Sequence, residues 1–132
     1  MSIVYKKKEF KIKKKKGLLT LKLSRRKIKN ISELKGLEKL TDLQVLILND
    51  NLLNEIEGLD ILENLIILDL SHNKISEIKG LSELRNLQEL NLAFNSIAEI
   101  KGFEPLANLR ELDLEHNKIS TIKGLNSLSK LK

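Results

Sequence analysis

The sequence predicts a solenoid of the α/β class that is rich in β structure, in which short stacked coils share one apolar core. Three observations predict it. The chain repeats itself at an offset of 22 residues, each copy carries a short stretch of alternating Leu, and each copy then reaches a Gly followed by a second Leu-rich stretch. A fixed period of roughly 20–50 residues is the signature of repeat architectures. One such unit is too small to bury its own Leu face, so neighbouring units must stack.

The composition limits the kinds of core and site that the chain can build. Apolar residues make up 41% of the 132 residues but aromatic residues only 3%, so Leu and Ile must form the core. There is no Cys, which excludes disulfides and Cys-ligated zinc. No secretory signal is recognisable, and no apolar run approaches the roughly 20 residues that a membrane-spanning helix needs. We therefore expect a soluble, cytoplasmic protein.

Each repeat can be divided into segments with distinct physical roles. The pattern L-x-x-L-x-L predicts a short strand with its Leu side chains inward. The Asn that follows can donate to and accept from buried backbone groups of neighbouring coils. The Gly predicts a turn with positive φ or a close backbone approach, and the i, i+3 spacing of the following Leu residues is typical of a 3₁₀ or single helical turn. The residues with these structural roles are Asn51, Asn73, Asn95 and Asn117, and Gly58, Gly80, Gly102 and Gly124.

The consensus L-x-x-L-x-L-x-x-N-x-(I/L)-x-x-I-x-G-L-x-x-L-x-x resembles leucine-rich repeats. Its length and its pair of Ile positions resemble the subclass found in a regulatory subunit of type-1 protein phosphatase and in bacterial internalins. The resemblance covers about residues 18–132. It implies a right-handed, curved coil with a short parallel sheet on the concave side and 3₁₀ or short helical segments on the convex side. It also implies a non-enzymatic scaffold that binds a partner protein through the concave face.

The repeats divide the chain into a basic arm or cap strand, residues 1–17, and a repeat domain, residues 18–132. The domain has an atypical first repeat, 18–42, and regular repeats at 43–64, 65–86, 87–108 and 109–130. In the first repeat Arg26 stands where the others have Asn, as in a capping unit. Leu131 would begin a further strand, and no polar cap follows it. An uncovered apolar end favours self-association through this end or a chain cut from a longer one.

The outward strand residues define the expected binding surface. Val45, Ile47 and Ile67 form an apolar patch where exposed strand residues are usually polar, and acidic residues dominate the repeats that follow. The apolar residues would anchor a partner and the acids would select its charge, although the β propensity of Val and Ile explains them equally well. The predicted partner-binding residues are Val45, Ile47, Ile67, Asp69, Glu89, Asn91, Phe94, Glu111 and Asp113.

The basic arm has two interpretations. Residues 1–30 hold 13 Lys and Arg against one acid. Alternation around Gly17 predicts a hairpin cap, in which Phe10 and Ile12 cover the open apolar end. Alternatively the arm binds the phosphates of nucleic acid, with only Tyr5 and Phe10 available to stack on bases, or it binds an anionic membrane or an acidic protein partner. The residues of this electrostatic arm are Lys6, Lys7, Lys8, Lys11, Lys13, Lys14, Lys15 and Lys16.

Catalysis, cofactors and metals are not predicted. The sequence has no nucleophile elbow, phosphate-binding loop or dinucleotide fingerprint. His72 and His116 share a column two coils apart and are expected at the surface, too far apart to hold a metal without further ligands.

Overall fold

The computed structural model describes residues 1–132 and confirms the β-rich solenoid. The strands are β1 (Ser2–Tyr5), β2 (Lys8–Lys11), β3 (Lys13–Lys15), β4 (Leu18–Lys22), β5 (Val45–Ile47), β6 (Ile67–Asp69), β7 (Glu89–Asn91) and β8 (Glu111–Asp113). β1 and β2 form an antiparallel hairpin of their own, and β3 to β8 form one six-stranded sheet in chain order. Within that sheet β3 is antiparallel to β4, and all other neighbours are parallel.

The core lies behind the parallel sheet and runs the length of the stack. The middle Leu of successive strands pair in register, and Leu46, Leu68 and Leu90 are buried. Leu112, in the same column of β8, is only partly buried. β8 has a paired strand on one side alone, so its coil lacks the second neighbour that covers the others.

The side of each coil opposite the sheet is built from single turns. Leu62 donates its N–H to the carbonyl of Leu59 at 3.0 Å, and Leu65 donates to Leu62 at 3.1 Å. The same i to i+3 bonds recur in the later coils, and the first coil contains two 3₁₀ segments, Ile31–Glu33 and Leu37–Lys39. Twenty-two residues per coil thus leave room for turns but for no α-helix, as the spacing predicts.

The Asn of each repeat joins its own coil to the coil before it. Asn73 Nδ2 donates to the carbonyls of Leu70 at 3.0 Å and Leu48 at 3.1 Å, and its Oδ1 accepts the N–H of Leu53 at 3.0 Å. Asn51, Asn95 and Asn117 bond in the same way. These amides satisfy backbone groups at the corner that the strand ladder leaves unpaired.

Gly80, Gly102 and Gly124 meet both conditions that the sequence suggests for this position, whereas Gly58 has a positive φ but no backbone atom within 4 Å of a Cβ placed there. Gly80 has φ of 72°, and a Cβ placed there would clash with the carbonyl oxygen of Ile56 in the preceding coil. Gly124 is similar, with φ of 81° and a Cβ that would lie 2.6 Å from the carbonyl oxygen of Ile100. A side chain is therefore opposed by backbone conformation and by packing at once.

The first 22 residues fold as two hairpins. The β3–β4 hairpin lies where alternation predicts it, but the β1–β2 hairpin was not predicted. Ile3 and Tyr5 of β1 are 0% and 4% exposed, whereas Phe10 and Ile12 are only partly buried. The expectation that Phe10 and Ile12 cover the apolar end therefore needs correction, because β1 supplies the more deeply buried side chains. Val4 fixes this strand by exchanging two backbone hydrogen bonds with Lys35.

No helix of the chain is both long enough and apolar enough to traverse a lipid bilayer.

Candidate functional site

The outward residues of β4 to β8 form a continuous surface, which we call the sheet face. Its residues pair in register from strand to strand, so neighbours lie about 4.8 Å apart. One column runs through Thr20, Val45, Ile67, Glu89 and Glu111, and the other runs through Lys22, Ile47, Asp69, Asn91 and Asp113. A groove of about 510 Å³ lies over this face between Ile47 and Glu115.

The apolar patch is smaller than expected. Ile47 and Ile67 are half-buried and line the groove. Val45 is only 7% exposed, although it is not part of the core cluster, so the expectation that it is exposed is wrong. Val45 lies between its register partners Thr20 and Ile67. Because valine is shorter than isoleucine, neighbouring side chains at the spacing of paired strands cover it.

The acidic part of the sheet face contains two kinds of side chain. Glu89 and Glu111 are exposed. By contrast, Asp69, Asn91 and Asp113 are half-buried, and the Oδ1 of each accepts the backbone N–H two residues further on, at 2.9–3.0 Å. This bond shapes the corner after the strand. This structural role of Asp69, Asn91 and Asp113 was not predicted from the sequence. The recurrence of Asp or Asn at one position of three successive repeats could have indicated it.

A stack of three rings stands at the edge of the sheet face where the chain leaves the strands. The ring centroid of Phe94 lies 4.2 Å from that of His72 and 4.2 Å from that of His116, with interplanar angles of 10° and 17°. We call this the rim stack. Asp50 continues the column, with a carboxylate oxygen 3.9 Å from Nδ1 of His72. The phenyl ring separates the two imidazoles, so they cannot ligate one metal ion together.

The rim stack was visible in the sequence only as three rings in one column. All its members have φ of 53–57°, and the N–H groups of His72 and Phe94 each bond to a carbonyl of the following coil. This left-handed backbone is costly for residues other than Gly and Asn. Shared backbone geometry aims successive side chains the same way, and stacking follows because the coils are close.

Replacing Phe94 with alanine is expected to lower the free energy of unfolding by about 1–3 kcal/mol, because it removes two ring pairs worth about 0.5–1.5 kcal/mol each. The imidazole protons of His72 and His116 should also lose the upfield shift that the phenyl face produces, which proton NMR measures. Phe94→Leu is the control for lost apolar area, since it keeps an apolar side chain but no ring. Unchanged imidazole shifts in Phe94→Ala would contradict the stack.

The N-terminal hairpins meet the sheet face in a cleft of about 420 Å³, which we call the basic cleft. Its cations are Lys8, Lys11, Lys13, Lys15, Lys22 and Arg26, and Glu9 is its one acid. The two Lys–Glu ion pairs of the chain and the His72–Asp50 contact all lie beyond residue 49, so these cations are unpaired. Of the other predicted arm residues, Lys6, Lys7 and Lys16 lie in the hairpin turns, and Lys14 does not line the cleft.

The aromatic residues of the arm are not free to stack on bases, which corrects that expectation. Tyr5 is buried, and its hydroxyl group donates to the carbonyls of Arg26 at 3.2 Å and Lys27 at 3.3 Å. The ring of Phe10 is covered by Lys8 Nζ at 5.3 Å and by the Arg26 guanidinium at 4.8 Å from its centroid. The basic cleft therefore offers charge without an open aromatic platform.

Several solved structures share this architecture. Internalin C2 from Listeria monocytogenes is 34% identical with a TM-score of 0.77, and the match covers 85% of this chain and 48% of that one. Internalin F from the same organism is 30% identical with a TM-score of 0.73, covering 86% and 32%. A leucine-rich-repeat protein from Leptospira interrogans is 30% identical with a TM-score of 0.71, covering 82% and 28%. This chain thus spans less than half the length of each.

Comparison with family models gives the same result from sequence. A model of two leucine-rich repeats matches residues 63–108, and a single-repeat model matches residues 108–131. Together they span a little over half of the chain. No curated protein matches the chain by sequence. The repeat pattern, the stacked coils and these matches together show that the chain belongs to the leucine-rich-repeat family and is similar to the internalins.

Proposed function

We propose that this chain is a non-enzymatic scaffold that binds a partner protein through its sheet face. The observation that carries the proposal is the pair Ile47 and Ile67, two partly exposed β-branched residues in a groove whose fully exposed side chains are acidic. Leucine-rich repeats are in general protein-interaction modules, which supports the same conclusion. Val45 is too buried to serve as a third anchor.

The energetics suit recognition by a small number of contacts. Ile47 and Ile67 are each already largely covered, so burying the part that remains exposed would contribute about 0.5–1 kcal/mol for each residue, roughly a third of the value for a whole side chain. Exposed Glu89 and Glu111 beside them would favour a partner with basic groups at that end. The Oδ1 atoms of Asp69, Asn91 and Asp113 already accept backbone N–H groups of their own coil. These residues can therefore contact a partner through the other oxygen of each Asp and the side-chain nitrogen of Asn91.

Substitution of both isoleucines tests the proposal. A partner captured from the native cell by this chain is purified and titrated against the wild type and against Ile47→Asp/Ile67→Asp. We expect affinity to fall at least about 30-fold, equivalent to about 2 kcal/mol at 1.4 kcal/mol per decade. Ile61→Asp is the matched control, because Ile61 is 38% exposed and lies outside the sheet face.

Circular dichroism and denaturant unfolding establish that both variants keep the fold. If the double variant is folded and binds the partner as tightly as the wild type does, the sheet face is not the binding surface and the proposal is wrong.

A further inference from the structure

The charge on the sheet face changes sign from one end to the other. The basic cleft lies at the β3–β4 end, the partly exposed Ile47 and Ile67 lie in the middle, and exposed Glu89, Glu111 and Glu115 lie at the β7–β8 end. The cleft and the groove belong to one surface, because Lys22 of the basic cleft is the register partner of Ile47, which lines the groove.

The β3 strand extends the same surface on the basic side. Lys13 pairs with Thr20 and Lys15 with Leu18, and paired residues point to the same side of a sheet. Five inter-strand spacings separate β3 from β8, which is about 24 Å at 4.8 Å each. An extended peptide rises about 3.3 Å per residue, so a segment of about seven to nine residues would cross the whole face.

The charges at both ends are free to bind a partner. Lys13, Lys15 and Lys22 are exposed, and none has a carboxylate within ion-pair distance. Glu89 and Glu111 are exposed and likewise unpaired. Like charges gathered without counter-charges repel one another, and a ligand of opposite sign at each end would relieve this repulsion.

We propose that the sheet face recognises a protein segment with an acidic end, an apolar centre and a basic end, which lies across the strands with its acidic end in the basic cleft. This inference rests on the proposed function and specifies the partner chemistry of the same surface. A uniform polyanion fits less well, because the phosphates that extend beyond the cleft would meet Glu89 and Glu111. It would also find no open aromatic ring in the cleft.

Two nine-residue peptides of identical composition test the charge order. The block peptide has three Glu, a Leu-Ile-Leu centre and three Lys, and the alternating peptide arranges the same Glu and Lys in alternation on both sides of that centre. Fluorescence anisotropy at about 50 mM salt should show about tenfold tighter binding of the block peptide. The preference should shrink as salt rises, because the Debye length falls to about 8 Å at 0.15 M.

Charge-reversal variants of the protein identify the two ends. Lys13→Glu/Lys15→Glu/Lys22→Glu should remove the preference, and so should Glu89→Lys/Glu111→Lys. The variant that combines all five changes should again prefer the block peptide, because the two ends of its sheet face have exchanged charge and the peptide can bind in the opposite direction. Lys74→Glu/Lys118→Glu/Lys123→Glu is the control for net charge, since these exposed lysines lie outside the sheet face.

Several results would overturn the inference. Equal binding of the two peptides is one, and failure of the five-fold variant to regain the preference while it remains folded is another. Tighter binding of single-stranded DNA or of phosphatidylserine vesicles than of the block peptide would assign the basic cleft to those ligands. A salt-sensitive dimer in analytical ultracentrifugation that Lys13→Glu/Lys15→Glu/Lys22→Glu dissociates would assign the face to a second copy. If any of these occurs while Ile47→Asp/Ile67→Asp still loses its native partner, the charge inference fails and the proposed function stands.

Discussion

Replacing Asn73 with alanine is expected to lower the free energy of unfolding by about 2–5 kcal/mol. The variant leaves the N–H of Leu53 without any acceptor, and a buried unsatisfied group costs about 1–3 kcal/mol. It also removes bonds to the carbonyls of Leu48 and Leu70. Those carbonyls keep the amides of Asn51 and Asn95 as donors, so their loss adds only about 0.5–1 kcal/mol each.

Asn86→Ala is the matched control for this prediction. Asn86 also reaches back to the preceding coil, donating to the carbonyl of Glu63 at 3.0 Å, but that bond is exposed and water can replace it. We expect a cost below about 0.5 kcal/mol. Urea unfolding followed by circular dichroism measures both variants. Equal destabilisation by Asn73→Ala and Asn86→Ala would show that the lower exposure of the Asn73 hydrogen bonds does not affect stability.

Replacing Gly80 with alanine is expected to cost about 3 kcal/mol or more. Two effects add: a left-handed backbone costs an L-residue about 1–2 kcal/mol, and the new methyl group would clash with the Ile56 carbonyl. Because that oxygen belongs to the backbone of the preceding coil, relief requires the two coils to move apart. Closely packed interiors resist such a shift.

Gly17→Ala separates the two effects. Gly17 has φ of 80°, close to that of Gly80, but a Cβ at this position would have no atom within 4 Å of it. It should therefore show only the backbone cost of about 1–2 kcal/mol. The difference between the two variants in urea unfolding then measures the contact between coils. If Gly17→Ala is as destabilising as Gly80→Ala, that contact contributes nothing.

The parts of the fold that repeat were predictable from sequence. The strand Leu, the corner Asn and the Gly each have a local physical reason to occupy their positions, and the same reason holds in every coil. The β1–β2 hairpin was not predictable in this way. Ile3 and Tyr5 become core residues only because β1 lies against the first coil, and nothing in the alternation near Gly17 indicates that contact.

The sequence predicted which positions form the candidate site, but it did not predict how exposed each side chain is. Register places Val45, Ile47 and Ile67 correctly on the sheet face, but the burial of Val45 depends on the side chains on either side of it. The rim stack depends on side-chain rotamers that no spacing rule supplies. The arm lysines were evident at once, whereas the cleft that six cations line together is produced by two hairpins meeting the first coil.

The Asn bonds have a direction, and this has a consequence for biosynthesis. Asn73 donates to Leu48 and accepts from Leu53, both in the coil before it, and Asn95 repeats this arrangement with Leu70 and Ile75. Each coil thus carries the side chain that attaches it to chain already made. A ribosome releases the coils in that same order, so the backbone groups that each Asn bonds in the preceding coil are already present when that Asn emerges.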